Sequence, residues 1–583
     1  MKRIGVIPFG GHAFFVGVVL LVGCGGSGGD TPTPDAAATD AWFAERAAEA
    51  GIDFVHVNGM TGAFYYAEVM PPGLALFDFD ADGDLDLFAV QGHGLGEHAD
   101  PPPGTLRAHL YRNDSDGGTL RFTDVTDASG IEARGYGMGA ATGDFDNDGC
   151  VDLYVTNLGS NQLFRNNCDG TFADVTHASG TADPGWSVSA AFVDVDRDGW
   201  LDLFVGHYLN YRVENNVACR SLSGLPDYCP PHVYAAQPSR LFRNTGNGTF
   251  IDITTRAGLS QGFGPALGVA TADFDGDGWI DIYVANDGFP NNLWINQRDG
   301  TFRDTARLAG AAVSPDGLAK ASMGVDAADF DGDGDEDLFI TELAGQGADL
   351  YVNDGSGVFV DASARAGLRL ATLPTTGFGA AWLDADNDGL LDLAAVNGAV
   401  THTAEALARG ERFALAQPRQ LFRNIGGGRF EDVSDRAGAA FQTAEVGRGA
   451  AFGDIDNDGD IDIAVANGNG PLRLFVNTVG SRNHWIGLRL VGSTALTTGG
   501  RARDMLGARV AIARADGTTL WRRARADGSY ASANDPRVLA GLGTDPTPPR
   551  VRVQWPDGQV EEWTGVPVDR YSTLQQGSSA KAR

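Results

Sequence analysis

The 583-residue chain carries 76 Asp and Glu against 43 Lys and Arg, a net charge of −33, with 81 glycines and 43% hydrophobic residues. That charge argues against nucleic acid and anionic membrane surfaces as partners and suits cations. The hydrophobic fraction excludes a disordered chain, and the length allows two to four average domains or one large repeat domain with a smaller companion.

Residues 1–23 read as a signal peptide. Lys2 and Arg3 precede an apolar stretch, 13–22, too short to span a bilayer. The stretch ends in LVGC, and small residues before Cys24 resemble a bacterial lipobox. The resemblance implies cleavage before Cys24 and lipid on its sulfur and amine. Residues 24–41, rich in Gly, Ser and Pro, form a flexible tether. We expect an extracytoplasmic lipoprotein at the outer membrane or cell surface, monomeric and touching the membrane only through its lipid. In that oxidising compartment the other four cysteines pair as Cys150 with Cys168, within one repeat, and Cys219 with Cys229, within one insertion. The chain holds no CxxC motif, so zinc and thiol redox chemistry are not expected.

Residues 42–479 are repetitive. The first segment, WFAERAAEAGIDF (42–54), reads like the tail of a repeat, TFADVTHASG (171–180). Seven aspartate loops follow. They hold Asp78, Asp80, Asp82 and Asp86; Asp144, Asp146, Asp148 and Asp152; Asp194, Asp196, Asp198 and Asp202; and Asp273, Asp275, Asp277 and Asp281. The last three hold Asp329, Asp331, Asp333 and Asp337; Asp384, Asp386, Asp388 and Asp392; and Asp454, Asp456, Asp458 and Asp462. Each loop sits between two short strands, and a hairpin of the type LFRN…GTFxDVT follows most of them. Four strands per unit, seven times over, predict an all-β fold: a seven-bladed β-propeller whose closure hides its sheet edges. The seventh unit lacks its last strand after LRLFVN (472–477), so we infer that 42–54 supplies it. The alternative is a short helix capping the first blade, for which AERAAEA has good propensity.

The loops place carboxylates at positions 1, 3, 5 and 9 with Gly at 6, and the backbone carbonyl of position 7 adds an oxygen. Calcium takes six to eight hard oxygen ligands, and Gly permits the sharp turn. Position 12, a Glu in an EF-hand, is Ala89 in the first loop and Val155 in the second, and a strand follows instead of a helix. We therefore expect about seven Ca²⁺ ions bound by all 28 aspartates. Five residues past each last Asp stand Gln91, Asn157, His207, Asn286, Glu342, Asn397 and Asn467. These are candidates for a ligand-binding ring on the face opposite the loops; the alternative is that they end strands and cap turns.

Residues 480–577 alternate apolar and polar residues between Asp-Gly turns, which predicts a small β-sandwich-like domain. Residues 480–583 carry 15 Lys and Arg against nine Asp and Glu, so docking on the acidic ring and an ordinary basic domain are both open.

The aspartate loops resemble FG-GAP/VCBS repeats of the integrin α-subunit type. The order of elements is similar to the cartilage acidic protein family with its C-terminal ASPIC/UnbV module. The matching stretches are AGIDFVHVNG (50–59), DYCPPHVYAAQPSRLFRN (227–244), LGARVAIARADG (506–517), DGSYASANDPRVLAGLG (527–543) and VRVQWPDGQVEEW (551–563). The resemblance implies a calcium-bound seven-bladed propeller with a small β domain and no defined activity. No HExxH or P-loop occurs. The expected role is binding of a protein or glycan at the cell surface; the alternatives are a polysaccharide lyase or hydrolase, or an accessory protein of assembly.

Overall fold

The computed structural model describes residues 41–97, 99–221, 224–402, 415–493 and 501–579. The signal peptide, Cys24 and all but the last residue of the tether lie outside the described residues.

Seven four-stranded antiparallel sheets follow one another along the chain. In blade one the strands are Leu74–Phe77, Asp86–Ala89, His109–Asn113 and Phe122–Asp124, paired in chain order. The inner strands of the next six blades are Gly137–Gly143, Ser187–Val193, Ala266–Ala272, Val325–Ala328, Gly377–Leu383 and Gly447–Gly453. Each inner strand touches that of the next blade, and the seventh touches the first, so the ring is closed. The closing strand is Phe43–Glu45. It pairs antiparallel with Arg473–Asn477, Phe43 opposite Asn477 and Glu45 opposite Phe475. The AERAAEA stretch gives its first two residues to this strand and turns at 47–50, and it forms no helix.

Both faces of the two inner strands of each blade are buried, which is why they read as apolar runs, whereas outer strands such as Phe122–Asp124 expose two of their three residues. Alternate residues serve the two neighbours. Leu74, Leu76 and Leu87 pack toward blade seven with Ala464 and Leu474, whereas Phe77, Phe88 and Leu110 pack toward blade two with Leu153 and Phe164. Five further apolar clusters fill the other five blade interfaces. At the axis the inner strands converge too closely for side chains. A Cβ on Gly324 would stand 1.9 Å from the Phe378 carbonyl oxygen, and one on Gly268 2.3 Å from that of Met323.

The C-terminal domain is a sandwich. One sheet orders Val538–Gly543, His484–Val491 and Tyr571–Gln575; the other orders Thr519–Arg523, Arg509–Ala513, Arg550–Gln554 and Val560–Trp563. Ile486, Leu488, Val510, Ile512, Val551 and Val553 share its core. The sandwich sits on the aspartate-loop side of the ring, and residues 525–535 run down the axis. This segment bonds to every blade. Leu76 donates to the Ala533 carbonyl at 3.0 Å and Ala140 to that of Ala531 at 3.1 Å. Ala531 donates to Ser189 Oγ at 3.0 Å, and Thr271 to Asp527. Val325 donates to the Ser529 carbonyl, Ala380 to Ser529 Oγ, and Ser529 Oγ to the Ala450 carbonyl. The tail thus docks on the acidic ring, and it also threads it.

The candidate metal centres and the opposite face

One set of hydrogen bonds recurs in the aspartate loops. In loop two, Asp144 accepts from the amides of Asp148 and Gly149, and Asp148 from that of Cys150. Asp152 accepts from Phe145 at its start and from Asn166 at the end of the third strand. These bonds wind the chain around a common point. The fourth residue, Asn147, takes φ 56° and Gly149 φ 88°, so the turn needs residues that tolerate the left-handed region. In loops one to four, carboxylate oxygens from positions 1, 3 and 9 lie within 4.8 Å of one another.

Such crowding is costly without a cation. Burial, then the neighbouring carboxylates, push Asp78 up to about 6, and burial pushes Asp144, Asp384 and Asp454 up to about 7. Several loop oxygens are buried with no partner among the described residues: Oδ1 of Asp80, Asp146, Asp386 and Asp456 at position 3, and of Asp194, Asp273 and Asp384 at position 1. Backbone amides hold the other oxygen of each position-1 residue, as Gly199 holds Asp194 and Gly389 holds Asp384. Buried anionic oxygens without donors, converging within a few ångströms, fit a hard divalent cation. Asp84, Asp335 and Asp460 at position 7 stand beside these clusters, and Asp84 accepts from Asn457 of the neighbouring loop at 2.7 Å.

A residue type missed in the sequence ties the loops together. The Asn ending the third strand donates to its own loop and to the loop of the preceding blade. Asn166 Nδ2 donates to Val151 O at 3.1 Å and to Phe79 O at 2.7 Å. Asn113, Asn244, Asn296, Asn353 and Asn477 repeat the pattern. The signal was visible, since N closes every LFRN-type motif. Both expected disulfides form, Cys150–Cys168 and Cys219–Cys229, and the first staples loop two to the hairpin beyond it.

The C-terminal domain covers this face. Arg489 approaches Asp78 at 3.6 Å. Tyr571 Oη donates to Asp454 at 2.9 Å, and the Gly541 amide to Asp384 at 3.2 Å. Arg537 reaches the Asp454 carbonyl at 2.7 Å and Asn457 at 2.6 Å.

The seven-residue ring expected on the opposite face is corrected. Gln91, Asn157, His207, Asn286, Glu342, Asn397 and Asn467 do lie at the ends of the second strands, but all are buried. They hold the chain as it leaves the strand. Asn286, Asn397 and Asn467 donate to the carbonyls of Pro290, Pro418 and Pro471. Gln91 bonds Val55 and Val57, Asn157 donates to Val155, His207 faces Asp183 and Glu342 accepts from Ser322. What this face presents instead is two hollows. One, about 1120 Å³, lies over blades one to three and is bordered by Tyr65, His93, Tyr136, Trp186 and Tyr211. The other, about 440 Å³, lies over blades six and seven and includes Glu68, His402 and Arg448.

Comparison with known proteins supplies relatives. The FG-GAP-like repeat model matches residues 78–155, 144–205, 233–284, 273–340 and 329–395, and the ASPIC and UnbV model matches 498–581. Cartilage acidic protein 1 of Xenopus tropicalis is 26% identical over 329 residues, 55% of this chain and 38% of that protein. The Homo sapiens protein is 28% identical over 319 residues, 53% of this chain and 43% of its own length. The match spans about two fifths of these relatives. Among solved structures, an Agrocybe aegerita lectin specific for non-reducing terminal N-acetylglucosamine is 16% identical with a TM-score of 0.35, covering 69% of this chain and 87% of the lectin. The BP39L lectin of Burkholderia pseudomallei is 13% identical with a TM-score of 0.39, covering 71% and 97%.

Proposed function

We propose that this chain, which belongs with the FG-GAP-repeat proteins that carry an ASPIC and UnbV domain, is a calcium-loaded, lipid-anchored binding protein. It meets a protein or glycan ligand on the face opposite its aspartate loops. One observation carries the choice of face. The C-terminal domain lies over the loops and fills the axis, so that the hollow of about 490 Å³ on that side is walled by its Arg489, Arg503 and Tyr571, while the largest hollow, about 1120 Å³, opens on the other side beside that of about 440 Å³. The loops then serve structure: each ion cancels the repulsion of four carboxylates and fixes the turn between two strands, so that binding stabilises the fold. The chain acts outside the cytoplasm, held by lipid on Cys24, where its two disulfides persist.

The test uses residues 25–583 in millimolar calcium and in EDTA, incubated with immobilised cell-surface polysaccharides and surface-protein extracts. Retention in calcium, loss in EDTA and no new sugar ends are expected. New reducing or unsaturated ends would overturn the binding reading in favour of a lyase or hydrolase.

A further inference from the structure

The hollow over blades six and seven holds a group that neither the fold nor the metal centres use. Glu68 lies on the segment that crosses the face before the first inner strand, in a short helical turn, Tyr66–Val69. Its side chain is 1% exposed. Oε2 accepts from Tyr228 Oη at 2.9 Å, while Oε1 is buried with no partner among the described residues. A buried acceptor left without a donor destabilises the fold, so its retention calls for an explanation.

The other charges of the pocket are engaged. Arg448 donates to the carbonyls of Val69, Gly398, Gly447 and Ala399 at 2.6–2.9 Å and lies 4.1 Å over the Phe378 ring. Glu445 is held by Arg473 at 2.6 Å and by Arg419. His402 faces Asp227 at 3.2 Å. Among the described residues Glu68 alone has no cation paired with it, and much of the remaining wall is apolar, from Met60, Pro71, Leu415 and Val446.

We propose that this pocket binds a small, mainly apolar molecule bearing one ammonium group, received by the free oxygen of Glu68. An ammonium group is the donor that also brings the missing countercharge; an alcohol brings only the first and a carboxylate neither. A volume of about 440 Å³ suits a single small molecule. Burial pushes the Glu68 carboxyl up to about 7, while Tyr228 holds it lower than burial alone would, so an adjacent cation readily secures the ionised form. The proposal rests on the reading that ligands are met on this face, and it names the chemistry of one of them.

Benzylamine, benzyl alcohol and benzoate share one shape and differ in this respect alone. Titrated calorimetrically into residues 25–583 in calcium, benzylamine should bind saturably, benzyl alcohol at least tenfold more weakly, and benzoate not at all. Glu68→Gln should weaken benzylamine at least tenfold and change benzyl alcohol by less than twofold. Equal affinity for amine and alcohol in the wild type, or benzylamine binding unchanged in E68Q, would overturn the proposal. The wild-type comparison decides even where E68Q folds poorly. Polysaccharide or protein retention without amine selectivity sinks this inference and leaves the proposed function standing; amine selectivity without such retention does the reverse.

Discussion

Replacing Tyr530 by Ala should release the axial segment without opening the ring. Tyr530 is fully buried, its ring meets Phe378 edge to face with centroids 4.8 Å apart, and its hydroxyl donates to the Met70 carbonyl at 3.0 Å. Losing a buried aromatic ring to Ala costs about 3–5 kcal/mol. Tyr530→Phe removes only the hydrogen bond, and with it about 1–2 kcal/mol. The loss falls on the segment, because each blade interface keeps its own apolar cluster. At about 1.4 kcal/mol per tenfold, Y530A raises the population of the withdrawn segment roughly a thousandfold and Y530F about tenfold. Hydrogen exchange with mass spectrometry reads this directly. Peptides spanning 525–535, and the Ala140 and Val325 amides that donate to it, should exchange faster by those factors, with peripheral strands unchanged. Unaltered exchange of 525–535 in Y530A would refute the claim that the ring holds the segment. Equal acceleration everywhere would refute its locality.

Other outcomes follow from the same structure. Asp146→Ala should reduce bound calcium, counted by equilibrium dialysis, by one ion and lower the melting temperature, whereas Asp84→Asn at position 7 should leave the count unchanged; calcium at a hundred times its Kd adds about 2.7 kcal/mol per site. Asp287 accepts from Tyr208, which bonds Tyr66 at 2.7 Å, and burial pushes its carboxyl up to about 6. A carboxyl raised in the folded state contributes stability that is complete below about pH 4 and lost as pH rises through 6. Asp287→Asn should therefore gain on the wild type between pH 5 and 7.5, by at most about 3 kcal/mol in denaturant melts, and a gap independent of pH would count against this. Removing the Cys150–Cys168 bridge with a double Ser variant should cost about 3 kcal/mol for a separation of 18 residues, seen as a lower denaturation midpoint; an unchanged midpoint would mean the bridge restrains nothing.

The ring was legible because its signal is local and repeated. Four aspartates at fixed spacing with a central Gly have few other uses, and a seventh unit short of one strand announced where Phe43–Glu45 belongs. The disulfides followed from the compartment and from cysteines sharing one repeat or one insertion. The polar ring misled, because strand ends and ligand sites use the same residues: Asn467 at the end of a strand closes a turn on Pro471 as readily as it would hold a sugar. Docking of the tail was open because net charge sets attraction and not geometry. A finer signal was present in the inner strands. Gly73, Gly139, Gly268, Gly324, Gly379 and Gly449 occupy equivalent places where a Cβ would strike a neighbouring backbone or the axial segment, with Ser189 at the third blade. Glu68 was not legible at all, since what marks it is one oxygen left without a partner among the described residues.

The closing strand and the axial segment impose an order in time. Phe43–Glu45 emerges early in synthesis, yet its partner Arg473–Asn477 lies more than four hundred residues downstream, so the first strand waits until nearly the whole wheel exists. The axial segment comes later still, and its bonds reach all seven inner strands at once. It cannot seat on six blades. Made after every blade, the segment is therefore a check on all of them: a chain that lost a blade, or failed to join its two ends, would keep residues 525–535 outside, within reach of proteases.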